Sequence, residues 1–161
     1  MKKIHETEER SLIIIKPDAI QRSLVGEIIT RFERKGLKVV GMKMMQLEEA
    51  VLKEHYAHIA DKPFFPRIQK FMMSAPVVVM AVAGLKAIDS IRIIVGPTKS
   101  FEAAAGTIRG DYALSMQSNI VHASDSVENG VAEIKRFFKE DEIVDYDKVD
   151  THFVFSDDLM V

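Results

Sequence analysis

The stretch PVVVMAVAG at 76–84 carries no charged or hydroxyl side chain, and its valines favour extended backbone. It reads as a strand in the middle of a sheet, where both neighbours supply hydrogen bonds. A second apolar run, SLIII at 11–15, reads as another buried strand, and Lys16-Pro17 ends it because proline brings no N–H to a central ladder. The chain must therefore build a sheet and supply helices to cover it.

The remaining periodicities provide those helices. Leu24, Ile28 and Phe32, with Val25 and Ile29, form one apolar stripe; Glu27, Arg31 and Arg34 face away, and Gly36 supplies the C-terminal stop. LKVVGMKMMQL at 37–47 reads as a strand with partial alternation, and the segment 48–59 as a helix with Val51, His55 and Ile59 on successive turns. Phe64, Ile68, Phe71 and Met72 make a further stripe, and another helix is expected at 86–95. Residues 96–112 have no sustained period and read as a long loop, followed by a short strand in SNIVHA at 118–123. The last amphipathic helix carries Val127, Val131, Ile134 and Phe138, with Asp125 and Glu128 spaced as a capping box. The simplest assembly is an α+β sandwich, a small antiparallel sheet with helices on one face. Residues 1–10 read as a flexible leader and the segment from 144 to the end as a tail without a period.

With 161 residues, 47% of them hydrophobic, and no repeat or linker, the chain suits one domain over 1–161. The apolar stretch at 12–15 is too short for a membrane span or a signal-peptide core. The absence of cysteine removes disulfides and thiolate metal sites and fits a cytoplasmic location. A net charge of −2, no Trp and three Tyr disfavour a nucleic-acid-binding surface. No Walker loop surrounds Lys99-Ser100, and the protein-kinase motif set is missing, so any handling of nucleoside phosphates needs another route.

Such a route needs a nucleophile in a held orientation and cations around the transferring phosphoryl group. His122 lies between an apolar strand and the serine-rich start of a helix, where free amides and hydroxyls can receive charge. An imidazole keeps an unprotonated nitrogen in much of the population near neutral pH. A histidine at such a junction also serves as a buried residue bonded to backbone, and its neighbours alone leave both readings open. His55 shares an apolar stripe, His58 faces solvent on this reading, and His5 and His152 fall in the terminal segments. No paired-histidine ligand spacing appears, so no protein-held metal is expected. Lys16, Arg92 and Arg109 stand near element boundaries, where guanidinium and ammonium groups can meet phosphate oxygens.

Five ordered motifs then converge: KPDAIQR at 16–22, KEHY at 53–56, KPFF at 62–65, GTIRGD at 106–111 and NIVHASDS at 119–126. Through them the chain, from about residue 11 to 146, resembles the nucleoside diphosphate kinases. That resemblance implies a ferredoxin-like βαββαβ sandwich with a four-stranded antiparallel sheet. It also implies ping-pong transfer of a γ-phosphate through phosphorylated His122. Mg²⁺ would enter on the nucleotide phosphates, the partners would be nucleoside di- and triphosphates, and the chain would form a homo-oligomer, tetramer or hexamer. Carried to the matching positions, Lys16, Arg92, Thr98 and Arg109 bind phosphates, with Tyr56 beside Lys16 and the histidine. Asn119 meets the sugar and terminal phosphate, and Ser124 and Glu133 hold the imidazole. Phe64 stacks on the base and Met116 covers its other face, an arrangement that tolerates purines and pyrimidines alike. Ala19 and Ala123 stand where the family usually has glycine; at a positive φ each methyl would cost about 1 kcal/mol. Ala105 replaces a usual proline, which removes a restraint from the loop.

Overall fold

The computed structural model describes residues 8–155. Along the chain run β1 (Glu8–Ile15), α1 (Pro17–Gln21), α2 (Val25–Arg34), β2 (Lys38–Met45), α3 (Glu49–His55), α4 (Phe65–Met72), β3 (Val77–Leu85) and α5 (Ala87–Val95). They are followed by α6 (Ile108–Tyr112), β4 (Val121–Ala123), α7 (Val127–Phe137) and α8 (Thr151–Val154). The sheet order is β2-β3-β1-β4 and each neighbouring pair is antiparallel. α2 carries the chain from β1 past β3 to β2, and α5 carries it from β3 past β1 to β4, which is the βαββαβ weave of a ferredoxin-like sandwich.

The helices cover both faces, not the single face expected. On one face Ile13, Ile15, Val78, Met80 and Val82 pack with Ile28 and Phe32 of α2 and with Ala87, Ile91 and Val95 of α5. On the other, Leu12, Ile14, Val77, Val79 and Ala81 meet Leu52 of α3, Phe65 and Met72 of α4, and Ile134 and Phe137 of α7. Leaving Leu12, Ile14, Val77 and Val79 in water would forfeit on the order of 8 kcal/mol of burial. A domain's entire net stability is only about 5–15 kcal/mol. The unbroken apolar character of β3 thus requires a cover on each side, and α3, α4 and α7 provide the second one.

Several local expectations change. Glu8, Glu9 and Arg10 are not a leader but the start of β1, paired with Leu85, Gly84 and Ala83; residues 1–7, including His5, lie outside the described part. The 96–112 segment contains α6, whose first turn is capped by the Thr107 hydroxyl accepting from the Gly110 amide at 3.0 Å. α7 is capped by Ser126, which accepts from the Asn129 amide at 3.1 Å; the Asp125 carboxylate takes the Asn129 side-chain amide instead. The buried face of α7 is Gly130, Ile134 and Phe137, while Val127 and Val131 are exposed. A Cβ at Gly130 would collide with the Arg10 carbonyl, so glycine lets α7 lie directly on β1. Neither Ala19, within α1, nor Ala123, within β4, has a positive φ, and the methyl penalty does not arise.

The C-terminal segment runs along the free edge of β2, with the Val144 amide donating to the Val40 carbonyl at 2.7 Å and the Tyr146 hydroxyl to the Val39 carbonyl at 3.1 Å. His152 is exposed on α8, and residues 156–161 lie outside the described part.

Candidate active site

His122 occupies the middle of β4 and pairs with Ile14 of β1, so the rigid centre of the sheet fixes its backbone. Two residues earlier Ile120 has φ +73°, a conformation that β-branched side chains avoid, at a cost of about 1–3 kcal/mol. Its surroundings hold it there. The Ile120 amide donates to Asp18 Oδ2 at 3.0 Å and its carbonyl accepts from the Lys16 amide at 2.9 Å. The Arg109 guanidinium spans the turn, donating to the carbonyls of Asn119 at 3.3 Å, Val121 at 2.7 Å and Gly96 at 2.8 Å.

A chain of polar contacts sets the imidazole. The Leu12 amide donates to Ser124 Oγ at 2.9 Å, and Ser124 Oγ donates to Glu133 Oε2 at 2.6 Å. The Glu133 carboxylate lies 3.1 and 3.2 Å from His122 Nε2. Burial pushes Glu133 up, but the hydrogen bond and charge of His122, together with the Ser124 bond, outweigh it and hold the carboxyl below its usual range. An ionised carboxylate only accepts, so in the neutral imidazole Nε2 carries the proton and Nδ1 keeps its lone pair. Ser124 therefore acts on the ring through Glu133, which it grips at 2.6 Å.

His55 belongs to this group, although its sequence pattern marks it only as core. Its ring centroid is 4.7 Å from that of His122, edge to face at 78°. Burial first, then the neighbouring His122, lowers it to about 3. His55 Nδ1 lies 3.5 Å from the Arg136 guanidinium and 3.9 Å from Glu133 Oε1. His55, His122 and Glu133 each present one ligand atom, all within 4.8 Å of one another, which makes them the metal-capable trio among the described residues.

The cations converge on the same space. Lys16 Nζ donates to Asn119 Oδ1, and the Asn119 amide reaches the Thr98 carbonyl at 3.4 Å. Burial, then the Arg109 charge, lowers Lys16 to about 8; burial and Arg92 lower Arg109 to about 10. Tyr56 is pushed up to about 12 by burial and then by Glu133. Depressed basic groups stacked against one another describe a site short of negative charge.

These side chains line a cavity of about 870 Å³, within the range that takes a nucleotide-sized ligand. Lys16, Tyr56, Phe64, Arg92, Thr98, Arg109, Met116, Asn119, His122 and Glu133 all border it; Ser124, fully buried, lies beneath. Phe64 and Met116 are 45% and 55% exposed, so Phe64 is a rim residue and not part of the core. Asp18 and His55 are the supporting residues that sequence reading missed. Asp18 sits within KPDAIQR, but nothing in that motif shows that its carboxylate reaches Ile120.

Known proteins similar to the chain fall in one family. A family model for nucleoside diphosphate kinase matches residues 9–143. A nucleoside diphosphate kinase from Parabacteroides distasonis is 51% identical over 150 residues, 93% of this chain and 98% of that protein. Another, from Roseiflexus castenholzii, is 48% identical over 92% of this chain and 99% of its own length. Among solved structures, a halophilic nucleoside diphosphate kinase from Halobacterium salinarum in complex with CDP superposes with a TM-score of 0.89 at 42% identity, covering 92% of this chain and 99% of that one. Enzymes of this family use divalent cations. Among the described residues no helix is long and apolar enough to cross a membrane. With its fold, the family model and its relatives in agreement, the chain belongs to the nucleoside diphosphate kinase family, and its reaction is transfer of the terminal phosphate of a nucleoside triphosphate to a nucleoside diphosphate.

Proposed function

We propose that the transfer runs through Nδ1 of His122 in two mirror-image displacements. The observation that carries this reading is the bond between Nε2 and Glu133, which leaves Nδ1 as the ring nitrogen with a free lone pair. Nδ1 attacks the γ-phosphorus, the bond to the β–γ bridging oxygen breaks, and the nucleoside diphosphate leaves with that electron pair. Positive charge left on the ring is met by Glu133, braced by Ser124. A second diphosphate then attacks the phosphorus with its terminal oxygen, and the electron pair of the N–P bond returns to Nδ1.

Lys16, Arg92 and Arg109 take the phosphate oxygens. Arg109 has five N–H groups and commits one from each nitrogen to a backbone carbonyl, so two remain for phosphate. Thr98 and Tyr56 border the phosphate path, and Asn119, already bonded to Lys16, meets the sugar and terminal phosphate. Phe64 and Met116 sandwich the base without reading its edges, which supports broad base tolerance.

Mg²⁺ fits as an ion carried by the nucleotide. The phosphate-facing side chains are cations, and the Glu133 carboxylate is occupied by His122 and Ser124, so the oxygen ligands come from the phosphates that Lys16, Arg92 and Arg109 hold. When bound, Mg²⁺ neutralises charge on the transferring phosphates. The enzyme acts as one domain, in the cytoplasm, as a homo-oligomer of four or six chains; exposed apolar side chains such as Met42, Met44 and Leu114 support the last point.

Incubation with γ-labelled ATP tests this reading. One acid-labile, base-stable phosphate per chain is expected, discharged by any of several diphosphates and absent in His122→Ala. A folded protein that takes no label, or a labelled His122→Ala variant, would overturn it.

A further inference from the structure

We infer that His55, His122 and Glu133 form a chelating site for a transition-metal ion of the Zn²⁺ or Co²⁺ type, and that such an ion and phosphate are mutually exclusive on His122. A tetrahedral ion with ligands at about 2.0–2.1 Å has its ligand atoms about 3.4 Å apart. Glu133 lies 3.1 and 3.2 Å from His122 Nε2 and 3.9 Å from His55 Nδ1, and the three ligand atoms all lie within 4.8 Å of one another, so side-chain movements of a few tenths of an ångström to about 1 Å would draw the trio to that spacing. All three residues border the active-site cavity, which leaves a fourth position open to solvent.

The required lone pair on His55 follows from geometry. Arg136 has only donors, so its contact with His55 Nδ1 at 3.5 Å makes that nitrogen the acceptor. That contact is long, and Arg136 is held more closely by Glu54, 2.8 Å from its Nε. Two imidazoles and one carboxylate are a donor set that selects Zn²⁺, Co²⁺ or Ni²⁺ over Mg²⁺.

Occupation reverses the ring. The metal takes Nε2 in place of its proton, and a proton moves onto Nδ1, so the imidazole stays neutral but loses the lone pair that attacks phosphorus. The ion would thus inhibit by fixing the wrong tautomer without competing for the nucleotide's own Mg²⁺. The inhibitory consequence rests on the phospho-His122 reading; the binding itself does not.

Titration of the nucleotide-free, Mg²⁺-free enzyme with Co²⁺, followed by its visible d–d absorption, and with Zn²⁺ by calorimetry separates the two. One ion per chain with the intensified bands of four-coordinate Co²⁺ is expected. His55→Gln should weaken binding at least about tenfold, and Arg136→Gln, which removes the competing cation, should strengthen it. Binding unchanged in His55→Gln places the ion on a surface histidine such as His58 and overturns the site, as does a purely octahedral Co²⁺ spectrum. If His55→Gln does not fold, unchanged or weaker binding in Arg136→Gln overturns it equally. Stoichiometric Zn²⁺ should also block labelling by γ-labelled ATP; labelling that proceeds unchanged with the ion bound contradicts the exclusion. Failure to label in the metal-free protein would instead count against phospho-His122 alone.

Discussion

Two buried clusters of charge lie at opposite ends of β1, and they are built on opposite principles. At its start Glu8, Arg10, Lys38 and Asp145 close a ring: Arg10 lies 3.0 Å from Glu8 and 3.4 Å from Asp145, and Lys38 lies 3.2 Å from Glu8 and 3.4 Å from Asp145. Two acids meet two bases, and the ring ties the C-terminal segment to β1 and β2. Beyond its other end Lys16, Arg92 and Arg109 face one another, and the ion pairs among the described residues include none of them. A balanced cluster is complete as folded. The unbalanced one gathers three cations, Lys16 and Arg109 among them depressed, around a nucleophile, and a polyphosphate restores its charge.

That contrast can be broken at either end. Lys16→Ala removes a charge that only the bound phosphates complete, so kcat/KM should fall about 10²–10³-fold with little loss of stability; a severalfold effect would mean that Lys16 is not part of the phosphate grip. Lys38→Met should do the reverse. It leaves Glu8 and Asp145 to share Arg10 alone, which should cost about 3 kcal/mol in urea unfolding, while kcat stays unchanged; loss of activity in the folded variant would show the two clusters to be coupled. The smallest test is pH. Lys16, lowered to about 8 in the free enzyme, is charged below that value and neutral above it. Phosphate binding by Lys16 is therefore strongest below that value, and from neutral pH kcat/KM should hold level to about pH 8 and then fall about tenfold per unit. A profile level beyond pH 9 would place the Lys16 charge outside the rate-determining interactions.

How much of this was legible in the sequence depends on whether a feature repeats locally. Strand and helix order were readable because β3 and α2 are long enough to show their periods. The two-sided cover was also written in β3, since a run apolar at every position has no face for water. α6 has five residues, too few for a period. The start of β1 looked like a leader because Glu8 and Arg10 are charged, and only the fold brings Asp145 and Lys38 to pair with them. In the site, places at element ends make His122, Lys16 and Arg109 candidates, and the motifs around them decide between the readings and add Asn119. The left-handed Ile120 is invisible in the sequence, because an isoleucine is among the last residues expected there; Asp18, far away in sequence, bonds its amide, and Arg109 holds the carbonyls on either side. The stripe through His55 marks it as buried, which it is, but a stripe on a helix cannot tell which neighbour the buried face will meet.

The transfer turns on which ring nitrogen of His122 is left open. Long-range ¹⁵N–¹H correlation of the imidazole, recorded before and after phosphorylation with ATP and joined to ³¹P coupling, reads this directly. The expected spectra show an Nε2–H tautomer in the free enzyme and phosphorus bonded to Nδ1 afterwards, with Nε2 still protonated against Glu133. Phosphorus on Nε2, or a free enzyme whose proton resides on Nδ1, would contradict it.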